Sequence, residues 1–172
     1  LIVQACHASG KLRETVHVEH QHDLGRWLFA LTIFWAYIAF SQYLLIWYAN
    51  IPEETVWFQK RLEDGWRVVA QVLVAGHFAV PFFVLMSRRA KRNQRVLVLT
   101  AGWVLLMHYL DLYWIIMPAL TSSAVFHWSD AAALLAIGGI VGSGVWWLFR
   151  DRPLVAVGDG RLVESVGLRR TE

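Results

Sequence analysis

The sequence predicts an all-α integral membrane protein of about four transmembrane helices, and three observations predict it. Four stretches, at about 25–50, 66–87, 96–117 and 131–149, are apolar and carry few or no full charges. The remaining charges are bunched between and beyond them. Trp and Tyr gather near the ends of the first stretch, at Trp27, Trp47 and Tyr48, where interfacial aromatics belong. A helix needs roughly 20 mostly apolar residues to cross a bilayer. A soluble helical bundle of this size would give each helix a polar face, and these four stretches have none. The chain reads as three parts: a polar, His-rich segment 1–24, a membrane region 25–149, and a polar tail 150–172.

In the N-terminal segment, His17, His20 and His22 have a spacing that admits zinc, although such clusters are more often a solvated approach to a membrane helix. The first span opens at Gly25-Arg26-Trp27 and ends near Asn50. Pro52 cannot continue that helix, and Glu53 and Glu54 make the next stretch a short polar linker. The second span carries Pro81, which is expected to kink it. The third is closed by Pro118. In the fourth, small residues at 138 and 142, and at 139 and 143, leave one face nearly flat and suited to close helix packing.

Charge sets the expected orientation. Four spans put the N-terminal segment, the 88–95 loop and the tail on one side, and that side holds 13 of the 16 Lys and Arg residues. The other side holds Lys60, Arg61 and Arg67. Cytoplasmic loops carry such an excess, so both ends are expected in the cytoplasm. The basic residues are therefore a topology signal and not a nucleic-acid footprint. Cys6 is the single cysteine, which rules out a disulfide within the chain, and Ala5-Cys6-His7 lacks the first Cys of a C-x-x-C-H haem attachment motif. Residue 1 is Leu and residues 1–10 lack a signal-peptide pattern, so the chain is expected to be processed or part of something longer.

Polar side chains inside spans are costly and ask for a reason. Five stand out: Ser41, Gln42, His77, His108 and Asp111. At 1.5 Å per residue, Gln42 and Asp111 lie about 24 Å from the cytoplasmic face, His108 about 20 Å and His77 about 14 Å. His108 and Asp111 are three apart and share a helix face. These residues fit a proton-conducting or quinol-facing path, with Asp111 the strongest member because a carboxylate is the costliest of them. The alternative is a set of interhelical hydrogen bonds, favoured for Ser41 and Gln42. His77 and His108 also fit, by level, two axial ligands of a b-type haem.

The run Phe34-Trp35-Ala36-Tyr37-Ile38-Ala39-Phe40-Ser41-Gln42-Tyr43-Leu44-Leu45-Ile46-Trp47-Tyr48-Ala49-Asn50-Ile51-Pro52-Glu53-Glu54-Thr55 resembles a hallmark of the F subunit of alternative complex III, a bacterial quinol:electron-acceptor oxidoreductase. That subunit is an NrfD-like (polysulfide-reductase-like) membrane protein. The tail Asp159-Gly160-Arg161-Leu162-Val163-Glu164-Ser165 is similar to the family's closing Asp-Pro-Arg-Leu-x-Glu-Ser, with Gly160 in place of Pro. The family has about ten spans, so this chain resembles its C-terminal part, within a larger helical bundle. The resemblance implies a subunit without a redox cofactor of its own, packed among multihaem cytochrome c, iron–sulfur, small membrane and sister NrfD-like subunits. The sister subunit is the one to which quinol binding is assigned. The resemblance further implies a contribution to a proton path, while assigning no catalytic role to Ser41, Gln42 or Asp111.

Overall fold

A computed structural model describes Val3, Cys6, residues 18–121 and 124–150, and Gly160. Among the described residues, all regular structure is helical. Four helices are long and apolar enough to cross a membrane: Val18–Ala49, Gly65–Met86, Gln94–Ala119 and Trp128–Phe149. The protein is therefore an all-α, multi-pass membrane protein. The chain separates into two units, one running from Val18 to Ala124 and one containing the last long helix. The first helix begins at Val18, so residues 18–24 of the polar segment belong to it.

Helix α1, Val18–Ala49, has 32 residues and begins in the polar segment, where Arg26 pairs with Asp23 at 3.2 Å. It ends at Asn50, whose φ of 48° lies in the left-handed region that Asn tolerates better than most residues. The Asn50 N–H closes the last turn on the Ile46 carbonyl at 3.1 Å. The expected linker is itself a helix, α2, Pro52–Leu62. Pro52 ends the first helix and begins the second, since a first-turn residue needs no N–H donor. Glu53 and Glu54 in its first turn and Lys60 and Arg61 in its last complement the helix dipole.

Arg61 fixes α2 to the end of the third span. Its guanidinium is buried and lies 3.7 Å from the Trp57 ring centroid. It donates to the carbonyls of Trp57, at 2.9 Å, and of Ile115. Burial pulls this group below its ordinary pKa. The Trp114 indole donates back to the Arg61 carbonyl at 3.3 Å, and the Trp57 and Trp114 rings meet edge to face. Trp66, almost wholly buried, lies beside Tyr113 at the same end.

The second span comprises α3, Asp64–Leu73, a π-helical turn, Val74–Ala79, and α4, Val80–Met86. The structure places this wider turn immediately before Pro81, where the sequence led to the expectation of a kink. Proline has no N–H for the His77 carbonyl, and its ring would strike that carbonyl in a regular α-helix. Widening the preceding turn relieves both problems, and the Val80 N–H bonds to the Ala75 carbonyl five residues back.

A five-residue helix, α5, Arg88–Arg92, connects to the third span, α6, Gln94–Ile116. Asn93 caps α6, its side-chain oxygen accepting from the Arg95 N–H at 3.0 Å and the Val96 N–H at 3.4 Å. Met117–Ala119 closes the span as a short 3-10 turn with Pro118 buried. Helix α1 packs against α4 and α5, and α3 with the π turn packs against α6. Gly76 lets the second and third spans approach: a Cβ there would lie 2.7 Å from Met107 Sδ.

In the second unit, α7, Trp128–Phe149, starts three residues before the apolar stretch does. Asp130 explains the extension, since its carboxylate accepts the His127 N–H at 3.0 Å. None of its residues is buried. A Cβ built on Gly138, Gly139, Gly142 or Gly144 meets nothing within 4 Å, so the small-residue face stands open. Gly76→Val is expected to lower the thermal stability of the detergent-solubilised protein by about 1–3 kcal/mol through overpacking. Gly138→Val is expected to leave it unchanged, and circular-dichroism melts of both variants check the contrast.

Candidate functional site

A polar cluster occupies the middle of the first unit and draws on three spans. Asp111, on α6, is 8% exposed, and His77, in the π turn, is 3% exposed. The Trp35 indole of α1 donates to Asp111 Oδ2 at 2.9 Å. The same indole stacks on the His77 imidazole, with centroids 4.0 Å apart and planes 28° from parallel. His77 in turn meets His108 edge on, at 6.1 Å between centroids. His108 is exposed, so the cluster runs from a buried carboxylate to an imidazole at the surface of its helix.

Each member is held by the local fold. The π turn carries His77, and its Gly76 carbonyl is fixed by the Trp103 indole at 2.8 Å. That bond joins the second and third spans one residue from His77. On α6, Met107 packs against Gly76 immediately before His108. Asp111 follows one turn later on the same face as Met107 and His108, as the three- and four-residue spacings require. Thr32, one turn before Trp35, is buried and returns its hydroxyl to the Leu28 carbonyl at 2.9 Å, which satisfies it within α1.

His77 Nδ1 is buried and has no hydrogen-bond partner among the described residues. Buried polar atoms almost always have a partner, so this nitrogen is an acceptor or donor position open to water or to a transferred proton. With Asp111, it places two proton-carrying groups of different chemistry in one desolvated region.

The sequence-derived set is only partly assembled. Asp111, His77 and His108 come together. Ser41 is half-buried and Gln42 exposed, and among the described residues neither bonds to the cluster. Gln42 is two turns beyond Trp35, about 10 Å at 1.5 Å per residue, so equal depth did not bring it to Asp111. Trp35 was the residue overlooked. Counting ionisable and amide side chains passes over the indole N–H, yet a half-buried Trp usually finds an acceptor, and a carboxylate in the facing span is the natural one.

Around the His77–His108 pair raised for haem, Trp35 stacks on one face of His77, and Gly76 and Met107 pack closely beside both histidines. For zinc, His17 lies outside the described residues. Among those described, no group of three His, Cys, Asp or Glu side chains is placed to hold a metal.

The fold and the cluster together define a multi-pass membrane protein with a buried carboxylate–imidazole centre. No protein-family model matches the chain, and no curated protein matches it. The Trp35–Asp111 bond has a direct energetic test. Trp35→Phe leaves the buried carboxylate short of a donor and is expected to cost about 1–3 kcal/mol. Adding Asp111→Leu to Trp35→Phe is expected to recover part of that loss, and a double-mutant cycle of thermal unfolding in detergent measures the coupling.

Proposed function

We propose that this chain is a membrane subunit of a quinol-oxidising electron-transfer complex of the alternative complex III type, in which Asp111, His77 and His108 form part of a proton path. The observation that carries the reading is the desolvated Asp111–Trp35–His77 arrangement opening toward His108. The resemblance of residues 34–55 to the F subunit supplies the context, and Trp35 and Ser41-Gln42 fall within that run. In this reading the chain sits in a bacterial cytoplasmic membrane with both termini inside. Its neighbours carry the c-type haems, the iron–sulfur clusters and the quinol site, and the chain itself contributes no redox cofactor.

The chemistry asked of the chain is proton transfer. A carboxylate and an imidazole each bind and release a proton, so one passes between them when water links them. His77 Nδ1 is the atom available for that link. His108 would exchange the proton with whatever polar group or water adjoins the helix surface.

A second reading has its own support. The Trp35–Asp111 bond joins the first and third spans, and a purely structural anchor would use it as interhelical glue. Asp111→Asn separates the two readings, because the amide oxygen still accepts the indole hydrogen bond but the side chain no longer carries a proton. With a proton path, this variant assembles normally and loses most proton translocation or turnover, about 10- to 100-fold by the usual scale for a positioned acid–base group. With a structural anchor, coupling is unchanged. Co-purification in mild detergent tests the assembly: multihaem cytochrome and iron–sulfur subunits should accompany the chain, and their absence would remove the complex from the reading.

A further inference from the structure

We propose that the seven-residue connection Ser87–Asn93, with Arg95, is a binding site for the headgroup of an anionic phospholipid. The site is independent of the proton path and of which side of the membrane the connection faces.

The connection joins two spans directly, from Met86 to Gln94, so its side chains are confined to the level where lipid phosphates lie. Six basic residues gather at this end: Arg26, Arg88, Arg89, Lys91, Arg92 and Arg95. Three have local partners. Arg26 pairs with Asp23 at 3.2 Å, Arg92 pairs with Glu19 at 3.0 Å, and Lys91 Nζ lies 4.4 Å from the Phe29 ring centroid. Arg88, Arg89 and Arg95 are exposed and form no ion pair among the described residues.

A topology signal needs only positive charge on a loop. Here the loop is also pre-ordered. A Cβ on Gly25 would stand 3.0 Å from Lys91 Cβ, so the absent side chain lets the connection seat directly on α1. The Arg92–Glu19 pair clamps it again. The three unpaired guanidinium groups are thus presented on an anchored segment, and guanidinium matches phosphate oxygens in planar, two-pronged fashion. Below them the surface turns apolar. Phe83 is 67% exposed in the last turn of α4, and Leu99 is 73% exposed one turn beyond Arg95 on its face of α6. An amphiphile with a phosphodiester head and acyl tails matches that sequence of surfaces, whereas a soluble anion uses only its upper part.

The test uses the full chain, purified and delipidated in neutral detergent. It is titrated with dioleoyl-phosphatidylglycerol, dioleoyl-phosphatidylcholine or inorganic phosphate, and bound ligand is counted by native mass spectrometry. Retention of phosphatidylglycerol, weakened by salt, with little phosphatidylcholine or phosphate bound is the expected result. Arg88→Gln/Arg89→Gln/Arg95→Gln should weaken retention on the order of 100-fold, at roughly fivefold per lost basic contact. Lys60→Gln/Arg67→Gln, at the opposite end, should leave it unchanged. Equal retention of the two lipids by the unmodified chain overturns the proposal without any variant. So does saturation by phosphate alone, or a triple variant of unchanged helicity that binds like the parent.

Discussion

Hydrocarbon offers no hydrogen-bond partners, so any polar group placed within a span must find one inside the protein. This constraint organises the first unit. Backbone groups are satisfied by helices, and most polar side chains are kept out of the spans altogether. Some of those that remain turn back on their own helix, as Thr32 does on Leu28, and others cross to another, as Trp35 does to Asp111 and Trp103 does to Gly76, while His77 Nδ1 and Trp66 Nε1 are buried without a partner among the described residues. These indole-to-carboxylate and indole-to-carbonyl bonds together tie all three spans around His77. Tryptophan suits the task because it delivers a single donor at the end of a large apolar ring.

The ends of the helices obey a different rule, since water and headgroups are available there. Each boundary is set by one residue with a local role. Asn50 ends the first helix in the left-handed conformation, Pro52 starts the next, Asn93 caps the third span, and Asp130 caps the fourth. Arg61 is the exception, a buried cation with no carboxylate partner among the described residues. Two backbone carbonyls and the face of Trp57 replace the usual counter-ion. Its place at the end of the spans lets α2 be held against α6 without bringing an acid into the membrane.

The spans themselves were legible in the sequence because length and apolarity are sufficient signals; their observed limits differ most at the first, which begins at Val18 within the polar segment, and by two or three residues where Asn93 and Asp130 cap the third and fourth. The joining of His77 with His108 and Asp111 was legible too, from depth along neighbouring helices. Depth alone failed for Gln42, because a level says nothing of which way a helix face points. The helical nature of Pro52–Leu62 was hidden by reading proline only as a terminator. The π turn was hidden because no residue pattern encodes it directly; it follows from Pro81 acting on the turn before it. Trp35 escaped because an indole registers as apolar until a buried acceptor is placed beside it.

Those last two features are linked. A regular helix through residues 74–81 would set the His77 carbonyl against the Pro81 ring. The wider turn that avoids this clash also shifts the register of side chains along the second span by about one residue relative to a straight α-helix. His77 lies within that turn, so its direction toward Trp35 and His108 depends on a proline four residues away. Gly76 completes the arrangement, since the same turn must meet Met107 without a side chain of its own. A proline that would simply break a soluble helix here has a positional consequence: it helps to decide which neighbours a buried imidazole can reach. The chemistry of the cluster therefore rests on backbone geometry as much as on the presence of a carboxylate and two histidines.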